Sequence, residues 1–467
     1  MLFSSISFLF YFFTAFLLLY FSVPFKFKNA VLLVFSLIFY AWGGVKYAIL
    51  MVVAILIGYV FGLLIEKYRE QKRISLSLMW LAVASILAFM LYFKYTNFFI
   101  ENFNAITGMS IDLLKITLPV GISFYTFQTI SYIIDVYRGV PAQKNLIDLA
   151  AYVSMFPQLI AGPIVRYVDV AAELKERTHS IDKVAEGIRR FIIGLGKKIL
   201  IADRLSQLCD IIKYETDEKT VLLYWIYGIS VALYIYFDFS GYSDMAIGLG
   251  KMFGFKFLEN FNYPYISKSA TEFWRRWHMS LGSWFRDYVY IPLGGNRVSK
   301  LRHVFNIFVV WFLTGFWHGA AWNFIFWGLF FGVLLLIEKF WIYKYLNNSK
   351  VIGHVYTLLA AVFSFVLFNA TDFREAITYI GGMFGAGGIS LSSAESVYYL
   401  QSYAVIFILA LVGATPLVKN VATKLSESEK TGKYINILEP IALVAILLVV
   451  TSYLVDGSFS PFLYFRF

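Results

Sequence analysis

The chain has 467 residues, 60% hydrophobic, 20% aromatic and only 15% charged, with a mean hydropathy of +0.69. That balance excludes a soluble globular domain and a disordered one. The formal net charge of +11 comes from Lys and Arg gathered between apolar runs, with no stacking platform beside them, so no nucleic-acid partner is expected. The single Cys209 excludes an internal disulfide and a cysteine-rich metal site.

Apolar runs recur that approach the roughly 20 residues a helix needs to cross hydrocarbon, whereas a barrel would show short alternating segments. The fold class is therefore all-α, a polytopic membrane protein of about 11 transmembrane helices plus re-entrant and interfacial helices. The first expected span, near 4–23, has no basic n-region and no small-residue cleavage site, so it should stay in place. The others lie near 29–44, 47–65, 76–94, 117–136, 221–238, 304–318, 321–338, 352–369, 398–417 and 436–454. Lys26 and Lys28, Lys67 to Arg73, Lys339 to Lys350 and Lys419 to Lys433 can all be cytoplasmic at once, which puts Met1 outside. The weakly basic loops near 96–115 and 371–397 then face outward.

Between the fifth and sixth spans, Tyr152 to Tyr167 is apolar but broken by Pro157, Gly162 and Pro163, the pattern of a re-entrant element. Gln158 and Arg166 sit on it as candidate wall residues. Lys175 to Arg204 is charged and amphipathic and should lie on the cytoplasmic face. At the end of the next span, Tyr236 to Asp244 carries Asp238 and Asp244, which either pair with nearby cations or line a path; pairing is favoured. No internal repeat is evident.

Phe273-Trp-Arg-Arg-Trp-His-Met-Ser-Leu-Gly-Ser-Trp-Phe-Arg-Asp-Tyr288 reads as one amphipathic helix. Trp274, Trp277, Leu281, Trp284, Phe285 and Tyr288 would share a face at the membrane interface, with Arg275 and Arg286 together on a flank and His278 at the border. Arg275, Arg286, Trp274 and Trp277 form a candidate surface for an anionic donor such as a thioester carrying phosphates; contact with lipid headgroups alone is the plainer reading.

The uncharged run Trp311 to Trp327 contains His318, flanked by Gly315, Gly319, Ala320 and Ala321. An ionisable group in such a run is costly and reads as functional, and the small neighbours are expected to leave room beside the imidazole. The alternative is a histidine bridging helices. His179, His303 and His354 sit among charges or at span entrances and read as solvated. No His-x-x-x-His pair or suitably spaced acid is present, so no metal site is expected.

Taken together, Leu118-Pro-Val-Gly-Ile-Ser-Phe-Tyr-Thr-Phe-Gln-Thr-Ile-Ser-Tyr132, Phe156-Pro-Gln-Leu-Ile-Ala-Gly-Pro-Ile164, Tyr236-Phe-Asp-Phe-Ser-Gly-Tyr-Ser-Asp-Met-Ala-Ile-Gly248, Phe273 to Leu281 and Phe316-Trp-His-Gly-Ala-Ala-Trp-Asn323 resemble the membrane-bound O-acyltransferase (MBOAT) family, in its branch that O-acetylates alginate and other bacterial polysaccharides. The likeness covers residues 30–340 of what reads as one membrane domain over 1–467, with further spans in 341–467. It implies helices around a central tunnel, an essential histidine at His318, a second at His278, and a tunnel lined by Gly315, Trp317, Gly319, Asn323, Gln158 and Asp238. It further implies acetyl transfer from a cytoplasmic thioester such as acetyl-CoA, with no tightly bound cofactor, to an extracytoplasmic polysaccharide through an SGNH-type acetyltransferase partner. The setting would be the bacterial cytoplasmic (inner) membrane. Two alternatives stand beside it: transfer of D-alanine from a carrier protein to teichoic acid, and a transporter or flippase with His318 as proton relay. The missing repeat counts against the transporter.

Overall fold

In a computed structural model the described residues, 1–457 and Phe462, are helical or irregular, and no strand occurs among them. They fall into two compact units.

The first unit comprises Met1–Phe191 and Met245–Leu258. Its helices are α1 (Ser7–Ser22), α2 (Phe25–Ala41), α3 (Val45–Lys67), α4 (Lys72–Thr107), α5 (Ile122–Tyr137), α6 (Leu146–Ser154), α7 (Tyr167–Lys175) and the start of α8 (Ile181–Gly196). Helix α4 has 36 residues, or about 54 Å at 1.5 Å per residue, so it runs well past the expected span at 76–94. The expected re-entrant piece is broken as its prolines and glycines require. After α6 ends at Ser154, one turn over Phe156–Leu159 starts with Pro157 in its first positions, and the chain continues without regular structure to α7. Nearly all of it is buried, and Gln158 Nε2 donates to the Tyr152 carbonyl at 2.8 Å. Arg177, also buried, donates to the Tyr20 hydroxyl, the Phe253 and Glu173 carbonyls and Asn29 Oδ1. These bonds tie the segment after α7 to the first two helices.

The second unit comprises Ile192–Asp244 and Glu259–Phe467. Its helices are α9 (Asp203–Tyr214), α10 (Val221–Met252) as far as Asp244, α11 (Ala270–Arg276), α12 (Met279–Phe285), α13 (Lys300–His318), α14 (Trp322–Ile337), α15 (Lys350–Asn369), α16 (Phe373–Met383), α17 (Ala394–Ser402), α18 (Ala404–Gly413), α19 (Leu417–Glu427) and α20 (Gly432–Val455). Side-chain caps set several starts: Ser299 for α13, Ser349 for α15, Asp372 for α16 and Ser393 for α17. The core of this unit is aromatic, with Tyr236, Phe239, Phe273, Trp277, Trp311, Trp327, Phe331, Phe365 and Phe368 buried against one another.

Among the described residues six helices are long and apolar enough to cross a membrane, and the pair α17–α18, bent by 53°, makes a seventh if counted as one span. Each expected span overlaps a helix, but 398–417 overlaps the bent pair α17–α18, 117–136 begins in irregular chain before α5, and α10 at 32 residues is far longer than 221–238. Large apolar side chains stand exposed along α3, α4, α18 and α20, among them Ile49, Leu81, Leu409 and Leu448. Such a surface would be a liability in water and is what a lipid-facing helix requires.

Candidate active site

The segment read as one helix over Phe273–Tyr288 is in fact broken. Helix α11 ends at Arg276, Trp277 turns to an extended conformation, and His278 adopts φ 43°, ψ 51° before α12 starts. A left-handed backbone is unfavourable for a residue with a Cβ and persists only where its surroundings over-determine it. Here they do. The Asn262 N–H donates to the Arg276 carbonyl at 2.9 Å and the Met279 N–H to the Asn260 carbonyl at 3.0 Å, so the chain at 260–262 clamps the break from both sides. Glu338, fully buried, caps α11 by accepting from the Ala270 and Thr271 N–H groups and the Thr271 hydroxyl.

The break changes where the predicted residues lie. Arg275 and Arg286 are exposed but belong to separate elements, and Arg286 pairs with the adjacent Asp287 at 2.7 Å. The shared flank of a continuous helix does not exist. Trp277 is buried against Phe273, Phe261 and Phe365. Trp274 packs edge-on to Trp311, Trp327 and Phe331. These rings form protein core, not an aromatic face in the headgroup zone, because the turn at His278 rotates the second half of the segment away from the first.

His318 is the last residue of α13, at the hairpin into α14. It is 5% exposed, enclosed by the rings of Trp317, Trp327 and Phe368 at centroid distances of 5.0, 4.9 and 5.3 Å. His278, 1% exposed, lies with its ring centroid 6.5 Å from that of His318 and 6.2 Å from Trp317. The edge-on ring of Phe239 meets His278 at 4.6 Å. The two histidines picked from separate parts of the sequence thus share one buried aromatic site, with the Trp317 ring beside both. Burial, with no compensating charge, pushes the His278 imidazole down to about 3, so it is neutral at physiological pH.

The small residues near His318 do not leave the expected space. A Cβ on Gly315 would run into the Phe324 carbonyl, one on Gly328 into the Trp311 carbonyl, and one on Gly319 into the Phe324 ring. They let α13 and α14 approach at their crossing, the usual use of small residues between membrane helices. Asn323 Nδ2 donates to the Ala370 carbonyl at 2.9 Å, fastening the start of α14 to the end of α15.

Asp238 is paired. Lys198 Nζ lies 2.6 Å from Asp238 Oδ1 and 2.7 Å from Asp203 Oδ1, all three side chains being buried. Burial opposes charge on Lys198, but the two carboxylates outweigh it and hold the ammonium above its ordinary value. Next to it, Lys197 pairs with Asp244 at 2.7 Å. Helix α10 therefore carries in one short stretch a buried ion pair at Asp238, the Phe239 ring on His278, and Ser243, which accepts from Asn260 Nδ2 at 3.1 Å. Asn260 Oδ1 in turn lies 3.1 Å from His278 Nδ1. Asn260, Ser243, Lys198 and Glu338 were missed from sequence. Each acts through a partner 17 or more residues away, and helical periodicity carries no such signal.

Two imidazoles thus lie buried together in one aromatic site, in a chain with helices long and apolar enough to cross a membrane. The sequence profile of the membrane-bound O-acyltransferase family matches residues 141–380. A probable alginate O-acetylase of Azotobacter vinelandii is 40% identical over 500 aligned positions, covering 100% of both chains. A peptidoglycan O-acetyltransferase of Helicobacter pylori is 37% identical over 76% of this chain and 73% of its own, and a teichoic acid D-alanyltransferase of Bacillus subtilis 32% identical over 55% and 69%. The chain belongs to the membrane-bound O-acyltransferase family. It is a multi-pass membrane acyltransferase, so the transporter alternative falls away.

Proposed function

We propose that the protein O-acetylates an extracytoplasmic polysaccharide of the alginate or cell-wall class, drawing the acetyl group from a cytoplasmic thioester, acetyl-CoA, in the bacterial cytoplasmic membrane. An SGNH-type acetyltransferase partner would complete transfer to the sugar. The observation that carries the reading is the enclosure of His278 and His318 in one aromatic site. Water is scarce there, so a thioester would be protected from hydrolysis while a positioned hydroxyl attacks it.

In the proposed step the acceptor O–H attacks the thioester carbonyl and His318 takes its proton as general base. The tetrahedral intermediate collapses, the C–S bond breaks as the C–O bond is retained, and the departing sulfur receives a proton from the imidazolium. His278 serves the same site as a second proton carrier. Trp317, Asn323 and Asp238, all of the second unit, are proposed to line the acyl path, their buried positions suiting a wall, not chemistry, while Gly315 and Gly319 are taken up by the crossing of α13 and α14. Arg275 and Arg286, both exposed and the second paired with Asp287, are the cations proposed to meet the donor's phosphates.

Transfer of D-alanine is the second reading. The full-length likeness to an alginate O-acetylase, against partial coverage for the D-alanyltransferase, favours acetyl. The test is to supply purified protein with radiolabelled acetyl-CoA and de-O-acetylated alginate and to follow both label and released thiol. Labelling from a D-alanyl carrier protein but not from acetyl-CoA would overturn the reading.

A further inference from the structure

We propose that Asn260 is a positioning residue for acyl transfer: its side-chain oxygen holds the proton of His278 on Nδ1 and so presents Nε2 as a lone-pair atom inside the buried site. The inference rests on the acyl-transfer reading of His278 given above.

The orientation of the Asn260 amide decides the argument. The Ser280 backbone N–H, which can only donate, points at Asn260 Oδ1 at 3.2 Å, and the Ser280 hydroxyl donates to the same oxygen at 2.9 Å. On the other side of the amide, Nδ2 donates to Ser243 Oγ at 3.1 Å. The atom facing His278 Nδ1 at 3.1 Å is therefore an acceptor, and the ring nitrogen opposite an acceptor must carry hydrogen. A neutral imidazole has one N–H, so Nε2 is left with its lone pair.

Nε2 is buried and, among the described residues, has no hydrogen-bond partner. A histidine kept only for structure would be expected to satisfy both nitrogens. Here one nitrogen is held by an amide that is itself held at three points, and the other is left open. The same residue fixes the backbone, since the Asn260 carbonyl accepts from the Met279 N–H and His278 stands in the left-handed conformation between those two contacts. Main chain and side chain of Asn260 thus set both the ring's place and its tautomer. No carboxylate or ammonium among the described residues touches His278, and the titratable ring beside it is His318. With its proton on Nδ1, His278 can accept a second at Nε2, so it can receive from His318 the proton that His318 took from the hydroxyl and pass it to the leaving sulfur.

The experiment uses the full-length protein in detergent with radiolabelled acetyl-CoA and de-O-acetylated alginate, comparing Asn260→Asp, Asn260→Leu and His278→Ala with the parent. Asn260→Leu removes the acceptor and should lower the transfer rate about 10²- to 10⁴-fold with the KM for acetyl-CoA unchanged. Asn260→Asp keeps an acceptor on Nδ1 and adds charge. It should retain transfer while the acid limb of the pH–rate profile moves to higher pH, because a carboxylate against the ring stabilises the imidazolium. A structural role for Asn260 would instead lower yield and thermal stability in both variants and leave that limb in place. If Asn260→Leu does not fold, the Asn260→Asp profile decides alone, and an unmoved limb overturns the proposal. Full activity of Asn260→Leu alongside an inactive His278→Ala also overturns it while leaving the reading of the site intact. Full activity of His278→Ala removes the reading of His278 and this inference with it.

Discussion

Substituting Leu at Gly319 separates a space beside His318 from a helix crossing. The Phe324 ring occupies the position a Cβ would take, and it packs edge-on to Phe368 at 5.0 Å, which packs on His318 at 5.3 Å. Four added carbons must displace Phe324, and through it the wall of the histidine site. Overpacking of this kind costs about 1–3 kcal/mol, so Gly319→Leu should be measurably less stable than the parent in a detergent thermal melt, and it should lose transfer through disorder around His318. Phe324→Ala alone should cost about 3–5 kcal/mol as a buried aromatic truncation. Added to Gly319→Leu it opens room for the new side chain, so the double variant should be more stable than the two single effects sum to, by about 1 kcal/mol or more. Melts and acetyl transfer on the same four preparations give the cycle. Additive losses, or a Gly319→Leu protein as stable as the parent, would show that Phe324 is not the obstacle and that the crossing has been misread.

Four further outcomes follow from the site and its surroundings. His318→Ala should insert and purify normally yet lose acetyl transfer by about 100- to 10,000-fold; a rate near the parent's would end its assignment as general base. Arg275→Ala with Arg286→Ala should raise the KM for acetyl-CoA more than it lowers kcat, and an unchanged KM would assign both arginines to lipid. Lys198→Met strands the buried carboxylates of Asp203 and Asp238 and should cost about 3–5 kcal/mol, much of it recovered when both become Asn; a melt unchanged by Lys198→Met would refute this. His179 is held down to about 4 from 6.5, chiefly by burial, with Lys28 and Arg177 adding to it. The unfolded chain binds that proton first, so the contribution is complete above 6.5 and is lost as pH falls towards 4. The thermal midpoint of the parent should therefore drop more between pH 7 and 5 than that of His179→Asn, by a small margin because the ring is half-exposed, and parallel drops would count against it.

The helices were legible because lipid imposes a local rule: each crossing segment must be apolar over its whole length and must satisfy its own backbone. Composition alone therefore marked the class and put a helix under part or all of each expected run, though only six or seven of the described helices or helix pairs are long and apolar enough to cross. Their ends were not legible, because α4 and α10 continue as helices beyond the apolar stretch, through residues such as Glu101 and Lys251 that no hydropathy window favours. The site was half legible. His318 stood out as an ionisable group in an uncharged run, and that cost is visible one residue at a time; His278, at the border of a basic aromatic segment, was marked only by the family resemblance. What holds them was not visible, since Asn260 is an ordinary polar residue in a loop until folding brings it to Nδ1 of His278.

The mistaken helix over Phe273–Tyr288 shows why the two kinds of information diverge. Its aromatic residues do repeat at helical spacing, and taken locally nothing in the sequence breaks it: no proline or glycine interrupts the stretch between Phe273 and His278. The break is imposed from outside, by Asn260 and Asn262 on the main chain and by an aromatic core that draws Trp274 and Trp277 inward. A strained backbone at a buried histidine is stable only when many tertiary contacts agree on it. Those contacts connect residues far apart in sequence, so a conformation that serves the site is the one that local propensity is least able to foresee. His278 is one of two non-glycine residues at positive φ among the described residues, and it is also the residue whose open nitrogen faces the chemistry proposed here.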